Sequence, residues 1–166
     1  QQKQKPRWKR SLGMVNKYLG EELGKVYVEK HFPDIRKQQV LAMVSHLKVA
    51  LADIIAELDW MGADTKKAAL TKLDMMTPLI GYPDKWKNTD SLTINLTGPL
   101  IADIMNISLF LEECEMKKIG KKVDLTEWHM TPQTINAYYS PQKNQIVFPA
   151  AILQEPFFYL GTNIQQ

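Results

Sequence analysis

The chain is 166 residues long, 45% hydrophobic and 23% charged, which is enough to bury a core and too apolar for a disordered segment. Its formal charge of +3 does not describe a basic protein: Lys3, Lys5, Arg7, Lys9 and Arg10 crowd the first ten residues without an acid, and the remainder is slightly acidic. A nucleic-acid partner is therefore not expected, since phosphate binding spreads cations over a face or groove, and residues 1–10 read as a basic flexible tail.

From the N-terminus, Leu12, Val15, Leu19, Leu23 and Val26 recur at helical spacing and predict a helix over 12–27 that ends near Pro33. Asp34 is the expected cap of a long second helix to residue 58, with Val40, Val44, Leu47, Leu51, Ile54 and Ile55 as its inner side. Asp64 or Thr65 is expected to cap a third helix over 66–76, facing Ala69, Leu70 and Leu73 inward.

Pro78 and Gly81-Tyr82-Pro83-Asp84 break helical pattern and leave room for a short extended piece at Leu79 and Ile80, followed by a loop to about Thr97. Gly98-Pro99 opens a fourth helix and Gly120 closes it. Leu100, Ile101, Ile104, Met105, Ile107, Leu109, Phe110 and Leu111 surround so much of its circumference that deep packing is expected.

Beyond Gly120, residues 135–139 and 145–149 are β-branched or aromatic runs separated by Ser140-Pro141-Gln142-Lys143-Asn144, a hairpin pattern. The expected class is mainly α, about four helices with one long, plus a C-terminal β-hairpin.

Residue types offer little chemistry. The single cysteine, Cys114, cannot form an internal disulfide and reads as a small buried apolar group. The three histidines, His31, His46 and His129, lack the H-E-x-x-H spacing that puts two zinc ligands on one helix face, and no metal site is expected from them. No nucleophile elbow, Walker loop or dinucleotide fingerprint occurs, so no catalytic residue is assigned. No run reaches the ~20 apolar residues of a membrane span, and 100–111 is interrupted by Asp103 and Asn106.

The 135–139 strand is the informative element. Alternation puts Asn136 and Tyr138 on one face and Ile135, Ala137 and Tyr139 on the other. At a sheet edge, its outward N–H and C=O groups would pair with an extended peptide.

The stretch Val123-Asp-Leu-Thr-Glu-Trp-His-Met-Thr-Pro-Gln-Thr-Ile-Asn-Ala-Tyr-Tyr, with Asn144-Gln-Ile-Val-Phe-Pro-Ala-Ala-Ile-Leu-Gln and Phe157-Phe158, closely resembles the neprilysin and endothelin-converting-enzyme family of zinc metalloendopeptidases. Leu23-Gly-Lys-Val-Tyr-Val-Glu-Lys-His-Phe, Glu57-Leu-Asp-Trp-Met and Ile80-Gly-Tyr-Pro-Asp-Lys-Trp resemble it in the same order.

The resemblance implies an α+β fragment of a two-lobed, thermolysin-like metallopeptidase that cleaves oligopeptides on the amino side of large hydrophobic residues. Residues 11–120 would belong to the helical lobe and interdomain connection, and 121–166 to the start of the catalytic lobe. Asn136 and Ala137 would hold the substrate backbone, Tyr138 would lie on the S1 side, and Ile152 and Phe157 would line S1′.

The family's H-E-x-x-H helix, its third glutamate ligand and its intermediate-stabilising histidine fall beyond the matched residues. Zinc is therefore expected in the full-length parent and none bound by this chain, which alone is expected to be inactive. Expected partners are an extended peptide, the remaining catalytic lobe, and a second copy through dimerisation or domain swapping. The parent would be periplasmic, secreted or membrane-anchored by an upstream segment.

Ser11, standing where animal members often have cysteine, and the lone cysteine suggest a bacterial-type member. His129 replaces a usual glycine, Glu155 a usual proline, and residues 159–166 depart from the pattern. The alternative reading is a non-catalytic helical module that binds peptides or partners.

Overall fold

The computed structural model describes residues 3–160. The described elements run α1 (Arg7–Tyr18), α2 (Gly20–His31), α3 (Asp34–Glu57), α4 (Ala63–Asp74), β1 (Thr77–Gly81), α5 (Leu100–Met116), β2 (Tyr138–Ser140) and β3 (Gln145–Pro149). Packing divides the chain into two compact units, 1–23 with 84–127 and 24–83 with 128–166. In this division α3, α4 and β1 fall in the same unit as the hairpin.

The first predicted helix is two helices. Leu19 adopts φ −129° and ends α1, its N–H donating to the Val15 carbonyl at 2.8 Å, while its own carbonyl accepts the Leu23 N–H at 3.0 Å and so begins α2. The apolar spacing runs across this break, so periodicity alone reads one helix where two are observed, and the described helices number five instead of four. Because α1 starts at Arg7, the basic residues Arg7, Lys9 and Arg10 are helical.

In the first unit, α1 packs on α5. The 84–97 loop is tied down by carboxylates: the Lys87 N–H donates to Glu21 Oε1 at 2.6 Å, Thr89 Oγ1 to Glu22 at 2.8 Å, and the Asn95 N–H to Asp103 at 2.9 Å. The expectation of a deeply packed α5 is corrected here. Only Ile107 of that helix is buried, and Leu100, Ile101, Met105 and Leu109 are exposed. Among the described residues α1 is the helix packed on it, and one neighbour cannot cover a helix that is apolar all round.

The second unit is built on a three-stranded sheet of order β1-β3-β2, with β1 parallel and β2 antiparallel to β3. The extended piece expected at Leu79 and Ile80 is β1, and its partner is not a neighbour in sequence. The parallel register Leu79↔Val147 and Ile80↔Phe148 joins segments far apart in the chain, and no local pattern encodes such pairing. The ladder is bracketed by the Thr77 N–H to the Asn144 carbonyl at 3.0 Å and the Ala150 N–H to the Gly81 carbonyl at 2.8 Å.

The α3 helix lies against β1, and Val40 and Val44 join Phe32, Ile80, Ala150 and Leu153 in one buried cluster. Leu47, Leu51 and Ile54, expected inside, are exposed. The helix is 24 residues long, and the elements packed on it, β1 and α4, leave these positions uncovered. An 18-residue stretch of it has mean hydropathy 1.5, long and apolar enough to cross a membrane by length and composition alone, which sequence inspection passed over. Here its Val40–Val44 face is packed on protein.

Two expected caps are also corrected. Asp34 is the first helical residue after Pro33, and its carboxylate accepts the Tyr82 hydroxyl at 2.6 Å instead of capping backbone N–H groups. The α4 helix begins at Ala63 after Gly62 with no side-chain cap.

Two glycines permit close approach. Gly81 has φ +78°, and a Cβ there would lie 2.4 Å from Phe32 Cε1. Gly24 lets Pro132 approach α2, a Cβ there meeting Pro132 Cδ at 2.8 Å. That contact, with the Ala151 N–H donating to the Pro132 carbonyl at 2.9 Å, seats the segment leading into β2.

Candidate functional site

The predicted edge is present but shorter than expected. Strand β2 covers Tyr138–Ser140 and pairs on one side only, with β3, so it closes the sheet; no strand flanks its far side among the described residues. Alternate residues of such a strand turn their N–H and C=O away from the neighbour. Ile135, Asn136 and Ala137, expected within the strand, precede it in irregular backbone. A local turn displaces the strand's start: the Asn136 N–H donates to the Thr134 carbonyl at 3.0 Å, and Thr131 and Thr134 hydroxyls meet at 3.0 Å.

Asn136 is exposed, and its Oδ1 accepts the Ala137 N–H at 2.8 Å, so side chain and backbone form one closed polar unit at the mouth of the strand. Ala137 and Tyr138 are half-buried. The Tyr138 hydroxyl accepts the His129 backbone N–H at 2.9 Å, and the two rings lie 5.7 Å apart. The register Tyr138↔Val147 sets the Tyr138 side chain on the same sheet face as Val147 and Leu79.

The hairpin turn that follows is fixed by Asn144 at φ +50°, a conformation asparagine tolerates. Its Oδ1 accepts the Tyr139 hydroxyl at 2.9 Å, and its Nδ2 donates to the Lys72 carbonyl at 2.8 Å. Asn144 thus locks the turn to the end of α4, a role no spacing in the sequence signals.

Ile152 and Phe157 sit apart from that edge in sequence and differ in setting. Ile152 is half-buried against the Phe32–Val40 cluster, whereas Phe157 is 71% exposed. An open depression of about 580 Å³ in this unit is lined by Lys67, Thr71, Lys72, Met75 and Asn144. It includes none of Asn136, Ala137, Tyr138, Ile152 or Phe157.

No group of three His, Cys, Asp or Glu residues able to hold an ion occurs among the described residues. His31 ends α2 with its ring 5.1 Å from that of Tyr27, His46 is exposed on α3, and His129 is exposed beside Tyr138. What the unit offers is a backbone edge with flanking aromatic and aliphatic groups.

Two models of peptidase family M13 match the sequence, the N-terminal one over residues 1–83 and the peptidase one over residues 136–165. The second match continues past residue 159, where sequence inspection saw the family pattern end; residues 161–166 lie outside the described residues. The chain is 38% identical over 165 residues to Neprilysin-11 of Caenorhabditis elegans, which covers 95% of this chain and 20% of that protein. It is 35% identical over 158 residues to a neutral endopeptidase of Lactococcus lactis, 95% of this chain and 25% of that protein.

Among solved structures, the zinc metalloprotease ZMP1 of Mycobacterium tuberculosis in complex with an inhibitor superposes with a TM-score of 0.84 at 42% identity, over 95% of this chain and 23% of that one. A Lactobacillus PepO structure gives a TM-score of 0.84 at 30% identity, over 93% of this chain and 25% of that one. The chain therefore spans about a fifth to a quarter of the length of these relatives.

Proposed function

Because this chain belongs to peptidase family M13, we propose that it supplies the substrate-pairing edge of a zinc-dependent endopeptidase that cleaves oligopeptides on the amino side of large hydrophobic residues. In this reading an extended peptide adds to β2 as a further strand. The Asn136 amide and Ala137 carbonyl hold the peptide's backbone, Tyr138 flanks the residue before the scissile bond, and Ile152 and Phe157 meet the large apolar residue after it.

One observation carries the proposal: β2 is the last strand of the sheet, with no further strand beside it among the described residues, and Asn136-Ala137 leads directly into it. Zinc in the whole protein would polarise the scissile carbonyl and acidify its bound water. In this reading the zinc ligands belong to the part of the whole protein that this chain does not span, and this chain alone would bind peptide without cutting it.

The exposed apolar residues of α5 and α3, including Leu100, Ile101, Met105, Leu109, Leu47 and Ile54, suit burial by the remaining lobe in the whole protein. In isolation the same surface favours a homodimer or a domain swap. Light scattering that gives a monomer at high concentration would contradict self-association.

The test of the main reading is titration with a fluorescent hexapeptide containing a central phenylalanine. Binding should saturate and should weaken about tenfold in Asn136→Ala, equivalent to roughly 1.4 kcal/mol. Equal affinity in the variant would count against the assignment. The second reading, a peptide-binding module without any hydrolytic parent, rests on the same edge; it is separated by whether the reading frame that encodes this chain also encodes an H-E-x-x-H helix.

A further inference from the structure

Gln154 stands where the α2–α3 corner meets the segment that follows β3. Arg36 Nη1 donates to Gln154 Oε1 at 2.6 Å and to the Leu153 carbonyl at 2.8 Å. Gln154 Nε2 in turn donates to the His31 carbonyl at 3.0 Å and the Ala150 carbonyl at 3.3 Å. The side-chain amide is thus held at both ends.

Its backbone shapes what comes next. The Gln154 carbonyl accepts the N–H of Phe157 at 2.9 Å and of Phe158 at 3.1 Å, closing a turn. From that turn Phe157 projects into solvent while Phe158 packs against the buried cluster.

Arg36 lies in the first turn of α3 and His31 ends α2, so a clasp across more than a hundred residues of chain governs the 150–158 segment. Its geometry is specific: one half-buried guanidinium reaches two acceptors on adjacent residues, and its Nε is buried without a hydrogen-bond partner. A guanidinium left partly unsatisfied is a poor choice for fastening an ordinary surface turn. Both bonds come from the one nitrogen Nη1, whose two N–H groups lie in the rigid guanidinium plane, which suits a segment whose direction matters.

We infer that Arg36 and Gln154 are positioning residues for apolar side-chain selection, fixing the turn so that Ile152 stays on the core and Phe157 is presented outward. This rests on the reading that Ile152 and Phe157 meet the large residue after the scissile bond. The α2–α3 corner thereby tunes the selectivity of the peptide site through the 150–158 segment.

The test uses this chain with Arg36→Lys, which keeps the charge but loses the planar guanidinium, and Gln154→Met, which keeps the length but loses all three side-chain hydrogen bonds. Amide hydrogen exchange is read at Phe157, at Phe158 and along β3, and affinity is measured for two extended peptides that differ by phenylalanine or alanine at one position. Both variants should exchange at least about tenfold faster at Phe157 and Phe158 with β3 unchanged, a local opening. The phenylalanine-over-alanine affinity ratio should fall toward one while alanine-peptide binding persists.

Exchange rising equally in β3 would reduce the clasp to a general brace and overturn the inference. A wild-type chain that discriminates, with variants that discriminate equally, overturns the positioning role alone. A wild-type chain with no preference overturns the underlying pocket reading together with it.

Discussion

The backbone N–H of His129 donates to the Tyr138 hydroxyl at 2.9 Å, tying the segment before the sheet to the first residue of its edge strand. The bond turns the phenol group back toward protein and leaves the ring as the part of Tyr138 available beside the edge. Tyr138→Phe should therefore cost only about 0.5–1 kcal/mol in urea unfolding and leave peptide affinity within about twofold. Tyr138→Ala, which removes the ring, should weaken binding by about tenfold, or roughly 1.4 kcal/mol. An equal loss in both variants would show that the hydroxyl contacts the peptide.

Gly81 is where β1 hands the chain to the Tyr82 loop, with φ +78° and Phe32 against its open side. Gly81→Ala combines a left-handed backbone with overlap on a 2% exposed ring, and should destabilise by about 2–4 kcal/mol. Phe32→Ala should cost about 3–5 kcal/mol. Thermal unfolding of the double variant should show less than the sum, because truncating Phe32 frees the space the added methyl group needs.

Tyr27 titrates above the ordinary phenol value of 10.0, mainly because burial disfavours the phenolate, with the Arg36 charge pulling the other way. The sign follows directly. Below pH 10 both folded and unfolded chains keep the proton; above it the unfolded chain releases its proton first, so stability is lost as pH rises through the folded-state value. Tyr27→Phe should lose less stability than the wild-type chain between about pH 9 and pH 11 in urea titrations. Parallel losses in the two chains would assign the alkaline response to other groups.

Metal analysis after dialysis should find well under one zinc per chain, and added chelator should leave the melting temperature unchanged. A structural metal contributes directly to folding free energy, so a chelator-dependent drop in melting temperature would reveal ligands brought together by this chain.

Much of the second unit was legible in the sequence. The β3 run and the turn before it follow from the β-branched and aromatic residues of 145–149 and from the Ser140-Pro141-Gln142-Lys143-Asn144 loop, and the helical periods found every helix apart from the break at Leu19. Three things were not legible, each for a non-local reason. The parallel pairing of β1 with β3 depends on tertiary packing across a long connection. The apolar positions of α3 and α5 name a buried face without naming what buries it, so Leu47 and Leu109 read as core and stand exposed. The polar ties His129–Tyr138, Asn144–Lys72 and Arg36–Gln154 join residues whose types suggest surface chemistry, and only the fold brings them together.

The central claim is that the outer side of Tyr138–Ser140 receives an extended peptide. Amide hydrogen exchange across residues 134–142, with and without a phenylalanine-containing hexapeptide, reads that edge residue by residue. The claim predicts that outward-facing amides of the strand become protected by at least about tenfold at saturation, with the α5 amides unchanged. Protection confined to α5 or to the depression beside Lys72, with the strand unaffected, would contradict it.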